Sequence, residues 1–285
     1  MTSTSTHARP AFVPTVLDAL DDKWRLAGTR TVRYLVRAAM AGVIIGVLYL
    51  ANYTVSASVT AALGDQAGFR GKLAGASVFG LVLFFISFTR SELTTSTMMM
   101  VGVGVQQRRL RVGRGFGLLG LCLLGNALGG LLVAILVSGS TLLSGPTLTL
   151  VEHSVATKLG YLNHGLLGVS DLFVRAIFCN LLINLAMLVI YKGLVTSDFG
   201  KFIALWGGVF VFTIMGFEHS VANTVLFTIY GVSHGIDVGQ AAAAVAVAFA
   251  GNLVGGGILI GMIYGYLNGP VSARKPTVPL PSGRA

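Results

Sequence analysis

Eight hydrophobic runs divide the chain, near residues 34–52, 73–89, 95–105, 115–138, 173–191, 201–215, 221–232 and 239–268. A bilayer core takes about 20 residues of helix. The second and third runs fall short of that alone, and so do the sixth and seventh. Joined in pairs across SELTT and FEHSV they become two full spans, each interrupted near its middle. The pattern predicts an all-α membrane protein with six transmembrane helices, two of them broken. Upstream, FVPTVLDALDDKW places Val13, Val16, Leu17, Leu20 and Trp24 at helical spacing. This is an amphipathic helix, read either as an interfacial gate at the pore mouth or as a surface helix packed on the bundle.

The pattern also repeats. Glu92 opens the first interruption and Glu218 the second, 126 residues later. GNALGGLLVAI begins at Gly125 and GNLVGGGILIG at Gly251, again 126 apart, while VRAAMAG at Val36 and VRAIFCN at Val174 are 138 apart. Three spans per half is an odd number, so the second copy enters the membrane from the opposite side. Matched broken helices in an inverted repeat point to a transport site at mid-membrane. The organisation expected is a cytoplasmic segment over 1–33, one channel domain over 34–270 with repeats at about 34–138 and 173–268, and a cytoplasmic tail over 271–285.

Composition agrees with this. The chain is 54% hydrophobic and only 11% charged, far below the quarter of charged residues usual in soluble domains. The net charge of +10 is confined to the ends of the runs. Basic residues gather before the first span (Arg9, Lys23, Arg25, Arg30, Arg33, Arg37), between the second and third (Arg108, Arg109, Arg111, Arg114), at Lys192 and Lys201, and in the tail (Arg274, Lys275, Arg284). All these segments share one side, which the positive-inside rule makes cytoplasmic. There is no RNA-binding motif, so nucleic acid is not an expected partner. Cys122 and Cys179 have no ligand spacing, and no metal or cofactor is expected.

Half-helices end in free backbone N–H groups, tolerated at membrane depth only where they face protein or a cavity. Glu92 and Glu218 stand at those ends and are expected to accept from the freed N–H groups, shaping the loops together with Asn223. His219 follows Glu218. An ionisable group at that depth faces the bundle interior or a pathway. Its counterpart across the repeat is Leu93, with Thr94 and Thr95 beside it, and an imidazole opposite a hydroxyl can offer a passing solute a hydrogen bond or a proton.

GFEHSVAN, the SELTTST break, the two GN-x-x-GG helices and VRAIFCN resemble the formate/nitrite transporter family over roughly residues 30–270. The resemblance implies an aquaporin-like fold, a homopentamer in the bacterial inner membrane, and one pore per protomer for small monovalent anions such as formate, nitrite or hydrosulfide. It implies His219 as the central histidine and Thr95 as the loop threonine opposite it. It further implies Asn180 near the pore centre, constrictions at Phe79, Leu83, Leu93, Phe212 and Ile183, and Lys158 as the loop lysine that attracts anions to the vestibule. The family's glycine two residues before the first acid is Arg90 here, expected to pair with Glu92 or to line a surface between subunits. VEHS at 151–154 has no counterpart across the repeat and reads as coincidence.

A weak-acid anion drawn in by basic groups and crossing apolar constrictions as the neutral acid, or with a closely shared proton, fits these residues, because desolvating a bare charge is costly. The alternative is a water or neutral-solute channel, although neither break contains the proline of an aquaporin motif. An intramembrane enzyme using Glu218, His219 and Ser220 lacks a third group to orient the pair.

Overall fold

The computed structural model describes residues 11–64 and 68–269, and every regular element among them is a helix. Arg9 and the tail cations Arg274, Lys275 and Arg284 lie outside the described residues, as does the segment 271–285. The first half comprises α1 (Phe12–Thr29), α2 (Thr31–Leu63), α3 (Gly68–Phe79), α4 (Leu81–Phe88), α5 (Thr94–Gln106) and α6 (Val112–Ser138). The second comprises α7 (Gly145–Gly160), a short 3₁₀ turn at Tyr161–His164, α8 (Gly165–Tyr191), α9 (Asp198–Met215), α10 (Ser220–His234) and α11 (Val238–Asn252). From α11 the chain runs through π-helical turns at Leu253–Met262 into α12 (Ile263–Leu267). Six helical stretches among the described residues are long and apolar enough to cross a membrane.

Both breaks fall where the hydrophobic pattern places them, at 89–93 and 216–219. Their backbones match. Each helix ends on a left-handed residue, Arg90 at φ 55° and Gly216 at φ 67°. Each next half-helix starts from an extended one, Leu93 (φ −115°, ψ 128°) and His219 (φ −113°, ψ 114°). The limb before the first break is longer than its apolar run. It starts at Gly68 and extends over 21 residues, because α3 continues past the apolar zone along the polar end of α2.

One element was absent from the run-based reading. α7 buries Thr147, Val151, Val155 and Lys158, a narrow stripe along a helix whose other positions are half-buried or exposed. Such a stripe has helical period but no apolar run, so a length criterion passes over it. α1 is its counterpart: it lays Phe12, Val13, Val16, Leu17 and Leu20 against α5 and α2, all at most 6% exposed, as the packed-helix reading expects. Each half therefore has an accessory helix before its first span, and the repeat is longer than its hydrophobic part.

Within the first half, the first and third spans are held by close backbone contacts. A Cβ on Gly42 would overlap the Asn126 carbonyl, and one on Gly129 would overlap that of Ala39, so α2 and α6 meet backbone to backbone. Gly129→Ala is expected to destabilise the protein by about 1–3 kcal/mol through overpacking. Gly120→Ala, where nothing lies within 4 Å, should not. Thermal unfolding in detergent compares the two.

Candidate functional site: a dry waist between two half-helices

The donors left free by each break are capped by asparagines from the third span of the same half. Asn126 Oδ1 accepts from Thr94 N–H (3.2 Å) and from the Thr94 hydroxyl (2.8 Å), and its amide donates to the carbonyls of Ala38 and Glu92. Asn252 repeats this: Oδ1 accepts from Ser220 N–H at 2.8 Å, and the amide donates to Ala176 and Glu218. Glu92 N–H donates to Arg37 O, and Glu218 N–H to Arg175 O. The Arg37 side chain donates to Arg90 O, and Arg175 Nη1 to Gly216 O. The inverted repeat is thus written into the hydrogen bonds of both loops.

This corrects the part expected of the two glutamates. Among the described residues, neither carboxylate accepts a backbone N–H. Glu92 is ion-paired with Lys23 of α1 and with Arg37 at 3.3 Å. Glu218 receives Lys158 Nζ of α7 at 2.7 Å and Asn223 Nδ2 at 2.8 Å. The reason is electrostatic: carboxylates 2% and 3% exposed need a full opposite charge, which amide dipoles alone do not provide. Each break is tied through its acid to the accessory helix of its own half.

The N-termini of α5 and α10 meet between the loops. His219 Nδ1 accepts from Ala222 N–H at 3.0 Å, so the proton of the neutral ring lies on Nε2, which donates to Thr95 Oγ1 at 2.9 Å. Phe212 stacks on the imidazole, ring centroids 5.9 Å apart and 18° between planes. A narrow cavity of about 10 Å³, room for about one water, lies against His219. Its other walls are apolar: Phe79, Leu83, Leu93, Phe212 and Ile183, with Ile45, Val82, Ile86, Val209 and Ala222. Two positive helix ends and one imidazole therefore border a narrow, apolar waist, with the buried Thr95 hydroxyl bonded to the ring.

On the α1 side the waist gives way at Ile86 to an open vestibule of about 990 Å³, edged by Lys23, Arg25, Arg30, Arg37, Arg90 and Lys201 against Asp22, Glu92 and Asp198. Arg90 does not pair with Glu92, whose charge is already met by Lys23 and Arg37. Its side chain is exposed in the vestibule wall, while its backbone holds the left-handed turn that a glycine holds at 216. A non-glycine residue there is strained by about 1 kcal/mol or more. Arg90→Gly is accordingly expected to raise the melting temperature by about 2–4 °C, and differential scanning fluorimetry would read the sign.

Residues 11–266 match the family model described as formate/nitrite transporter. The chain belongs to the formate/nitrite transporter family. The nitrite transporter NirC of Salmonella typhimurium is 30% identical over 255 residues, covering 88% of each chain. A solved structure described as an FNT family ion channel superposes with a TM-score of 0.77 at 25% identity, over 90% of this chain and 98% of the other. A pentameric formate channel with formate bound has the same fold, with a TM-score of 0.57 at 22% identity, over 82% of this chain and 96% of that one. With its six apolar spans and bacterial transporter relatives, the chain is a multi-pass membrane protein.

Family membership also removes the enzyme reading, since the members are channels and transporters. Among the described residues the Ser220 hydroxyl has no partner, and the nitrogens of His219 are engaged by Thr95 and Ala222.

Of the residues that resemblance to formate/nitrite transporters singles out, His219, Phe79, Leu83, Leu93, Phe212 and Ile183 come together at the cavity, with Thr95 bonded to the histidine. Asn180 is set back from the cavity wall. Its amide is engaged by the carbonyls of Thr95 (3.1 Å) and Asn252 (2.7 Å), so it positions the threonine. Thr94 is spent on Asn126. Lys158 stands on α7, buried against Glu218, and not in a loop. Glu152 and His153 of the VEHS stretch are exposed, and Ser154 accepts the Tyr53 hydroxyl at 2.6 Å. Sequence reasoning missed Lys23 and Arg37 as partners of Glu92. The available signal was Lys23 and Lys158 each preceding the first span of a half, 135 residues apart, close to the 138 of the VRA pair.

Proposed function

We propose that this chain is a channel for small monovalent weak-acid anions, nitrite and formate first and hydrosulfide after them. The anion crosses the waist as the neutral acid or sharing a proton closely. The observation that carries this is His219, the polar residue of a waist whose other lining residues are hydrocarbon, with its Nε2 bonded to Thr95 Oγ1 beside it. A bare anion there would lose its hydration without a counter-charge, whereas a neutral acid loses far less and can bond to the imidazole and hydroxyl. Water alone would need no such pair between two positive helix ends. The nitrite transporters among the relatives support an anion over a neutral solute.

Lys158 is matched by Glu218, so attraction at the mouth away from α1 falls mainly to Lys72, which meets no carboxylate among the described residues. Arg90 and its neighbours do the same on the α1 side. We place the protein in the bacterial inner membrane as a homopentamer with both termini cytoplasmic. The charge bias of its loops, the resemblance and the pentameric neighbour support this assignment.

Flux into proteoliposomes is the test. Nitrite and formate uptake should rise as the external pH falls toward the pKa of the acid. Flux independent of pH, or water flux without anion flux, would overturn the proposal.

A further inference from the structure

The turn from α5 to α6 carries four arginines within seven residues, Arg108, Arg109, Arg111 and Arg114, and none of them lines the waist or the vestibule. With Trp24 and Asp21 of α1 they surround a separate cavity of about 580 Å³. The turn is a fixed one: Arg108 is left-handed at φ 56°, and the N–H groups of Arg109 and Leu110 both donate to Gly104 O, at 2.8 and 3.0 Å. Asp21 is the acid of this lining and bonds Arg109 at 3.2 Å. Arg108, Arg111 and Arg114 meet no carboxylate among the described residues. The Arg114 guanidinium lies over the Trp24 ring, 6.0 Å from its centroid, which leaves its N–H edge free for a ligand.

The cavity sits at the head of a membrane span, and the face of α6 below it is bare. Nothing would meet a Cβ at Gly113, Gly117 or Gly120, and Phe116 and Leu124 on the same face are 49% and 52% exposed. An unneutralised arginine ledge with an indole at its edge, continuous with an open apolar groove, matches a phosphate diester carrying acyl chains. A second copy of the chain matches less well. It has ten acidic residues, and six of them (Asp21, Asp22, Glu92, Asp171, Asp198 and Glu218) already hold cations.

We propose that this cavity is the headgroup site of an anionic phospholipid, with the phosphate among Arg108, Arg111 and Arg114 and an acyl chain along α6. The site is independent of which solute the pore carries.

Native mass spectrometry of the intact oligomer tests it, after exchange into detergent with phosphatidylglycerol or phosphatidylcholine. Wild type should retain phosphatidylglycerol and release phosphatidylcholine, and millimolar inorganic phosphate should not displace the lipid. R111Q/R114Q should bind phosphatidylglycerol about thirtyfold more weakly and R111Q alone about fivefold. R111K/R114K should bind nearly as wild type does, and R70Q, an exposed arginine on α3, should match wild type. Equal retention of the two lipids, or unchanged binding by R111Q and R111Q/R114Q, would overturn the proposal. Displacement by phosphate would instead make the cavity a free-anion site. Loss of the oligomer in R111Q/R114Q with lipid still bound would make it a subunit contact.

Discussion

Replacing His219 with phenylalanine is expected to lower nitrite and formate flux about a hundredfold in proteoliposomes, while the protein still assembles. The ring of phenylalanine fills the same space beside Phe212, so packing is kept. Two bonds are lost. Thr95 Oγ1 loses its donor and Ala222 N–H its cap. A solute that would have bonded to the imidazole in a dry waist forgoes a hydrogen bond worth up to about 3 kcal/mol, which is about a hundredfold in rate. Thr95→Val should act in the same direction and more weakly, because the imidazole stays in place. Undiminished anion flux in His219→Phe would make the histidine a helix cap and nothing more.

Lys158→Met is expected to destabilise the protein by about 3–5 kcal/mol, since it leaves Glu218 buried with Asn223 as its remaining side-chain partner. Lys158→Met/Glu218→Gln should recover most of that loss, because the uncompensated charge goes with the carboxylate. The corresponding change in the first half, Lys23→Met, should cost less: Glu92 keeps Arg37 at 3.3 Å, and both border the open vestibule. Thermal unfolding of the three solubilised variants gives the ranking. A double variant no more stable than Lys158→Met would mean that the lysine acts through packing, not charge.

Residue order alone carries the spans, the two interruptions and the inverted order of the halves. These are legible because the bilayer imposes a length on every apolar run and because a backbone break at that depth puts polar residues into an otherwise apolar run. His219 and the aromatic and aliphatic positions around it were legible too, through the resemblance of GFEHSVAN and SELTTST. Which groups meet depends on how the helices pack. Thr95 and His219 are 124 residues apart, Lys158 and Glu218 60, Lys23 and Glu92 69. A glutamate in a break announces that it needs a partner, but not whether the partner is a backbone amide or a lysine on an accessory helix. That depends on where α1 and α7 pack, and their narrow buried stripes carry little local signal. Asn180 and Arg90 show the same limit. Position along a helix cannot tell a side chain facing the cavity from one turned to a neighbouring carbonyl, nor reveal that an arginine holds a glycine's backbone, until the two halves close against each other.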